Sequence, residues 1–179
     1  MKKHLLLILD GYGIAADPTV SAIDYAKQPY LDSLFETYPH GTLDASGLAV
    51  GLPEGQMGNS EVGHTNLGAG SVVYQEMTRI DKAIAEGDLF ENDALLEAVS
   101  TAKTRNARLH VLGLLSDGGV HSHQDHLHAL LKMCGEGGLE KDQVQVHAFM
   151  DGRDTSPNGG LEYVRRLEKE TQKVGCGRI

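Results

Sequence analysis

Runs of apolar residues along the chain predict strands. The continuous run Leu5–Leu9 predicts a strand buried on both faces, because a half-exposed strand would alternate apolar and polar residues. Leu109–Leu115 and Gln143–Met150 predict two further strands. Turn-forming residues follow each run, so all three strands end in short polar loops.

Apolar residues spaced three and four positions apart predict helices. One helical face is formed by Leu31, Leu34, Phe35 and Tyr38. This helix opens at Pro29 and ends near Pro39. Four more helices are predicted at Met77–Glu86, at Asp93–Lys103 with Asn92 as N-cap, from a Ser122–Asp125 capping box to Gly135, and from near Pro157 to Gly175. Strands that alternate with helices predict an α/β fold with a mainly parallel sheet.

Charge and composition exclude several kinds of function. The net charge of −9 disfavours binding to nucleic acid or to an anionic membrane. A small anionic substrate stays compatible, since it needs only a local cluster of arginine, histidine and metal. Leu5–Leu9 is too short for a signal peptide or a membrane span, and Cys134 and Cys176 form no disulfide framework. We therefore expect a cytoplasmic protein without nucleic-acid or membrane partners.

Polar residues follow each predicted strand, at the end where parallel sheets bind ligands. Asp10 ends the first strand and His121 follows the second. Asp10 is either a turn residue or an oxygen ligand for Mn²⁺ or Mg²⁺. Arg153 and Asp154, after the third strand, form either a turn with a local ion pair or a substrate site. In that site Arg153 would capture a carboxylate or phosphate, and Asp154 would hold a hydroxyl or move its proton.

Ser60 lies after glycines and before an apolar segment, which fits two roles. It is either a helix N-cap or a nucleophile at a helix N-terminus, where the dipole favours an incoming phosphoryl group. The sequence places no base beside it, so the nucleophile would need metal activation.

A run of four histidines begins at His121, with the spacing HxHxxHxH. If a helix starts near His123, then His123 and His126 lie one turn apart while His128 points elsewhere. The run therefore does not predict a dedicated zinc site. His121, which precedes the helix, is the best placed of the four to face a ligand.

Taken together and in this order, four strings resemble the cofactor-independent phosphoglycerate mutases. They are ILDGYG at 8–13, GQMGNSEVGH at 55–64, LSDGGVHSH at 115–123 and DGRD at 151–154. The resemblance extends over essentially the whole chain. It implies interconversion of 2- and 3-phosphoglycerate in glycolysis through a phosphoserine intermediate, with two divalent metals, usually manganese, and no bisphosphoglycerate.

The resemblance also implies a fold and a role for each candidate residue. The fold is an alkaline-phosphatase-like sheet flanked by helices, with its first segment at residues 1–73 and the start of an inserted α/β phosphotransferase domain at residues 74–179. Asp10 and Ser60 would ligate metal, and Ser60 would carry the phosphoryl group. His121, Arg153 and Asp154 would bind the glycerate part of the substrate. The whole enzyme is expected to be a monomer.

The family's remaining metal ligands, lysine and substrate arginines would lie beyond Ile179. The chain is therefore expected to be a truncated form that is inactive alone. One alternative is another mutase or phosphatase of the alkaline-phosphatase superfamily, which the LSDGGVHSH and DGRD strings disfavour. The other is a non-catalytic fragment that binds metal weakly.

Overall fold

The computed structural model describes residues 3–179 and consists of two compact units. The first comprises the chain up to Val50 together with Glu54–Val73, and the second comprises Gly51–Pro53 with Tyr74–Ile179. Met1 and Lys2, with which the predicted segment 1–73 begins, lie outside the described residues. The assignment of residues 1–73 and 74–179 to phosphatase and phosphotransferase domains stays a prediction.

The first unit contains helices α1 to α3, with loops between them. They are Ala22–Tyr25 (α1), Pro29–Thr37 (α2) and Ser60–Ala69 (α3), and single 3₁₀ turns occur at Pro18–Val20 and Gly47–Val50. The helix predicted from Pro29 is confirmed as α2, which has proline in its first turn and ends at the cap residue Tyr38. Proline fits this position because the first helical N–H has no partner within the helix.

The strand predicted at Leu5–Leu9 is wrong. These residues form no regular element, and their side chains are 42–87% exposed. A parallel strand exists only when it is hydrogen-bonded to a neighbour, and residues 3–73 contain no second strand with which it pairs. The apolar run therefore has the composition of a buried strand without the surroundings that would make it one.

The second unit alternates helices with two parallel strands. In chain order these elements are Glu76–Glu86 (α4), Asp93–Thr104 (α5), Leu109–Leu115 (β1), Gln124–Glu136 (α6), Val144–Met150 (β2) and Gly160–Val174 (α7), with 3₁₀ turns at Asp88–Glu91 and Lys141–Gln143. Leu109 pairs with Val144 and Leu115 with Met150, so both strands end at the same edge. Arg178 adds a parallel bridge to Gln145 on the other side of β2.

The helices of the second unit begin and end close to the predicted positions. Asn92 caps α5, because its side chain accepts a hydrogen bond from the N–H of Leu95 at 3.1 Å. The predicted capping box at Ser122 is wrong. His123 caps α6 instead, and the Ser122 hydroxyl donates to the carbonyl of Leu114 at 2.9 Å. Helix α6 also continues to Glu136 rather than stopping at Gly135.

The core of the second unit lies between the strands and helices α5 to α7. Leu115 and Val144 from the strands, Leu131 from α6 and Leu167 from α7 are fully buried. The free thiols of Cys134 and Cys176 are buried in the same cluster, and burial raises the pKa of Cys134 to about 11. The core therefore fixes the two strands, and with them the loops that follow β1 and β2.

The predicted α/β class is confirmed as a mixed fold with a small parallel sheet and helices. Its closer assignment to the alkaline-phosphatase-like architecture stays a prediction. None of the helices over residues 3–179 has both the length and the apolar character needed to cross a membrane.

Two leucines of α7 test where the stability of the second unit arises. Leu167→Ala should lower the free energy of unfolding by about 2–5 kcal/mol, because it opens a cavity in a fully buried position. The matched change Leu161→Ala, at a position that is 63% exposed, should stay within about 0.5 kcal/mol of the parent. Urea unfolding followed by circular dichroism measures both. Equal losses for the two variants would contradict this account of the core.

Candidate functional site

Ser60 is the first residue of α3, and a neighbour performs the capping role that Ser60 was considered for. The side chain of Asn59 accepts a hydrogen bond from the N–H of Val62 at 3.0 Å, which caps the helix. Ser60 is exposed, so its hydroxyl is accessible at the positive end of the helix dipole. Packing also requires glycine at position 58, since a Cβ there would lie 1.7 Å from the carbonyl oxygen of Ala45.

His64 lies one helical turn after Ser60 and is the nearest candidate for a base. Its Nδ1 is 2.8 Å from the Ser60 carbonyl oxygen and 3.2 Å from the Ser60 Oγ. A carbonyl oxygen only accepts hydrogen bonds, so Nδ1 carries the proton and acts as the donor in this arrangement. A protonated Nδ1 has no lone pair with which to take the hydroxyl proton. In this arrangement His64 contacts Ser60 as a hydrogen-bond donor and not as an acceptor for its proton.

Asp10 and Ser60 line one cleft of the first unit. The cleft has a volume of about 570 Å³, and Asn59 and His64 also line it. A carboxylate and a hydroxyl supply the hard oxygen donors that Mn²⁺ and Mg²⁺ accept. These two residues therefore fit a divalent cation chemically, although a six-coordinate ion needs more ligands. Across residues 3–179 no group of three or more His, Cys, Asp or Glu side chains is arranged to hold a metal ion.

In the second unit, the loops after β1 and β2 meet through the carboxylate of Asp151. Its Oδ2 accepts a hydrogen bond from the buried Ser116 hydroxyl at 2.7 Å. Its Oδ1 accepts the N–H groups of Gly152 at 2.7 Å, Arg153 at 3.1 Å and Asp154 at 3.4 Å. These hydrogen bonds, chiefly the one from Ser116, lower the pKa of Asp151 to about 2.

The Asp151 contacts bring two of the predicted substrate residues together. His121 Nε2 lies 3.4 Å from Asp154 Oδ2, across the two loops. Within the described residues the guanidinium of Arg153 forms no ion pair with Asp151 or Asp154, so the local ion pair considered as its alternative role is not what the structure contains. Arg153 is exposed and its charged group is available to a ligand.

A contact between the loop after β1 and helix α7 was not predicted from the sequence. The Tyr163 hydroxyl, from α7, donates to Asp117 Oδ1 at 2.7 Å. Gly118 also lies close to the loop after β2, because a Cβ at position 118 would be 2.8 Å from Thr155 Cγ2. The SDGG string signalled a tight turn, but nothing in its spacing identified a tyrosine 46 residues away as its partner.

The later histidines of the run have separate carboxylate contacts. His126 Nε2 lies 2.7 Å from Asp81 Oδ1, and His128 Nδ1 lies 3.3 Å from Asp125 Oδ1. His123 serves as the cap of α6. His123 and His128 both contact Asp125, whereas His126 contacts Asp81, so structural contacts with carboxylates account for these three histidines.

Comparisons with known proteins agree on one family. A family model described as BPG-independent PGAM N-terminus matches residues 80–179. A 2,3-bisphosphoglycerate-independent phosphoglycerate mutase of Salinibacter ruber is 60% identical over 99% of this chain, and one of Clostridium beijerinckii is 57% identical over the same share. In each case the chain spans 34% of the relative's length.

A solved structure is also similar. It is a Leishmania mexicana phosphoglycerate mutase determined at low cobalt concentration. It is 35% identical to this chain, with a TM-score of 0.65. The alignment covers 88% of this chain and 30% of that protein.

The Asp151 carboxyl should titrate well below an ordinary aspartate. Its pKa in the folded chain is about 2 against an ordinary 3.8, so the folded state prefers the ionised form. The stabilisation is therefore complete above pH 3.8 and is lost as the pH falls toward 2. Carbon-detected NMR of the Asp151 carboxyl measures the midpoint. Ser116→Ala should move it upward, and a parent midpoint at or above 3.8 would contradict the hydrogen-bond network.

Proposed function

Since this chain belongs to the BPG-independent phosphoglycerate mutase family, we propose that it supplies the nucleophile and part of the substrate site of an enzyme that interconverts 2- and 3-phosphoglycerate. The observation that carries the proposal is the placement of Ser60. Ser60 begins α3 with its hydroxyl exposed, and Asn59 rather than Ser60 caps the helix. Ser60 and Asp10 also line the same cleft.

Ser60 is proposed as the phosphoryl acceptor. Its Oγ forms a bond to phosphorus while the bond from phosphorus to the glycerate oxygen breaks, and the proton released by Ser60 ends on that glycerate oxygen. The N-terminus of α3 favours the dianionic phosphoryl group electrostatically. In the second half-reaction the other glycerate hydroxyl takes the phosphoryl group from Ser60, which regains its proton.

Asp10 and Ser60 are proposed as two of the ligands of a divalent cation. When bound, such a cation lowers the pKa of the serine hydroxyl and offsets the negative charge of the phosphoryl oxygens. The resemblance favours two metal ions, Mn²⁺ before Mg²⁺, and a reaction without bisphosphoglycerate. The Nδ1 proton of His64 supports this assignment, since it leaves Ser60 without a neighbouring histidine base.

His121, Arg153 and Asp154 are proposed to bind the glycerate part of the substrate. Arg153 offers a planar fork that matches a carboxylate, and its charge is not used by a neighbouring aspartate. His121 and Asp154, 3.4 Å apart, are suited to hold the glycerate hydroxyl and exchange its proton. Holding glycerate while its phosphoryl group resides on Ser60 allows the molecule to reorient without being lost.

The remaining parts of the proposal concern the whole protein. Residues 1–73 are assigned to the first segment of an alkaline-phosphatase-like domain, and residues 74–179 to the start of an inserted phosphotransferase domain. A cytoplasmic, monomeric enzyme without nucleic-acid or membrane partners is proposed. The net charge of −9 supports the exclusion of polyanionic partners.

Replacement of Ser60 tests the nucleophile. In an enzyme of full family length that carries this chain's residues, Ser60→Ala should lower mutase turnover by more than about a thousandfold, because it removes the proposed phosphoryl acceptor. Ser33→Ala, in α2, should keep normal turnover. An enzyme-coupled assay from 3-phosphoglycerate measures both, and near-normal turnover of Ser60→Ala would refute the assignment.

Replacement of Arg153 tests the substrate site. Loss of a charge-assisted contact costs roughly 1.5–3 kcal/mol, so Arg153→Ala should reduce kcat/KM for 3-phosphoglycerate at least about tenfold. Arg153→Lys should recover only part of this, since it lacks the two-pronged donor. Arg165→Ala, at an exposed position of α7, is the matched control. If Arg153→Ala and Arg165→Ala behave alike, Arg153 does not bind substrate.

The chain alone should have no mutase activity and only weak affinity for Mn²⁺. Asp10 and Ser60 provide two protein ligands, whereas the metals of the proposed reaction need many more. Calorimetry with Mn²⁺ and a mutase assay on residues 1–179 measure the two quantities. Clear turnover would mean that the active-site residues have been misidentified.

A further inference from the structure

We propose that Asp151 is a positioning residue, whose carboxylate holds the loop of Arg153 and Asp154 in its substrate-binding conformation and is itself held by Ser116. The inference rests on the proposed function for its substrate, phosphoglycerate. It adds two residues for which the family resemblance gave no role.

The first part of the argument is where the hydrogen bonds of Asp151 go. One carboxylate oxygen, Oδ1, accepts N–H groups from the next three residues, Gly152 to Asp154. Three backbone donors converging on one oxygen fold this segment back around the side chain that precedes it. The conformation of residues 152–154 is therefore tied to the position of a single carboxylate.

The second part is the anchor of that carboxylate. Leu115 is paired with Met150 at the end of the parallel ladder, so Ser116 and Asp151 leave the sheet at equivalent positions. Ser116 is 1% exposed, and its backbone carbonyl accepts the N–H of Gln124 at 2.7 Å. Its hydroxyl is therefore a fixed donor, and the 2.7 Å bond to Asp151 Oδ2 joins the loop to the core.

The third part is what this arrangement does for Arg153. A carboxylate two residues away would ordinarily compete for the guanidinium, as in the ion pair that the DGRD string suggested. Here neutral N–H and O–H donors surround Asp151, and within residues 3–179 it forms no ion pair with Arg153. The guanidinium is thus free for an anionic ligand. The same contacts place Asp154 where its Oδ2 lies 3.4 Å from His121.

A direct catalytic role for Asp151 is disfavoured by the same geometry. Both oxygens already accept hydrogen bonds, and the low pKa keeps the group ionised, so it has no proton to donate. Asp151 instead acts indirectly. Its negative charge holds the backbone of residues 152–154 and is not placed next to the ligand.

The test compares Asp151→Ala and Ser116→Ala with Asp88→Ala, where Asp88 is an exposed aspartate that serves as the control. The enzyme is the full family-length protein carrying these residues, with 3-phosphoglycerate as substrate and Mn²⁺ as metal. Alanine removes both acceptor oxygens, whereas asparagine would keep an amide oxygen that can accept the same three N–H groups. Two properties are measured: the split between KM and kcat, and the hydrogen exchange of the Arg153 and Asp154 amides.

Asp151→Ala should raise KM about ten- to hundredfold, in line with the cost of misplacing binding groups by about 1 Å, and should lower kcat less. The two amides should exchange faster. Ser116→Ala should move both quantities in the same direction by a smaller factor. The concentration of Mn²⁺ needed for half-activity should stay unchanged, because neither Asp151 nor Ser116 is a proposed metal ligand.

Two results would overturn the proposal. If Asp151→Ala leaves KM and amide exchange within about twofold of the control, which is the scatter expected between surface variants, the loop does not depend on this carboxylate. If kcat falls by a large factor while the hydrogen exchange of the two amides is unchanged, Asp151 acts on the reacting groups directly. An enzyme without any mutase activity would refute the proposed function instead, and amide exchange alone would then decide whether Asp151 holds the loop.

Discussion

The parallel pairing of β1 with β2 is the constraint on which the rest of the second unit depends. Leu109–Leu115 and Val144–Met150 run in register, so their carboxyl ends and the loops that follow them meet at one edge. Residues 35 positions apart in sequence, Ser116 and Asp151, then become hydrogen-bonding neighbours. Without this register His121 and Asp154 would not lie 3.4 Å apart. The site is a consequence of strand direction before it is a consequence of side-chain chemistry.

In the first unit the corresponding constraint is the start of α3. A helix N-terminus presents unpaired N–H groups, and Asn59 takes one of them by capping. That leaves Ser60 inside the first turn with its hydroxyl directed by His64 rather than used by the backbone. A serine placed this way is suited to an anionic partner. Asn59 and Ser60 are adjacent in sequence but make separate contacts, Asn59 with the N–H of Val62 and Ser60 with His64.

Much of the second unit could be predicted because its signals are local. The strand at Leu109–Leu115 and the helix capped by Asn92 depend on patterns within a dozen residues. Leu5–Leu9 could not be predicted in the same way, because a strand requires a partner that no local pattern specifies. The cap of α6 failed for a related reason. In the folded chain the Ser122 hydroxyl donates to the carbonyl of Leu114, and His123 caps α6 instead.

In the candidate site too, local sequence signals identified some residues but not the long-range contacts that hold them. His121, Arg153 and Asp154 stood out because they follow predicted strands, and the structure brings His121 beside Asp154. The contacts that hold their loops, from Ser116 to Asp151 and from Tyr163 to Asp117, are long-range hydrogen bonds. Sequence spacing contains no signal for such pairs.

The central claim is that Ser60 carries the phosphoryl group, and trapping the intermediate tests it most directly. A full family-length enzyme that carries this chain's residues is mixed with 3-phosphoglycerate and Mn²⁺, quenched in acid within one turnover and digested for mass spectrometry. The account predicts phosphate on the peptide that contains Ser60, stable to acid as a serine ester is. Active enzyme with phosphate on a histidine, or on a serine other than Ser60, would contradict it.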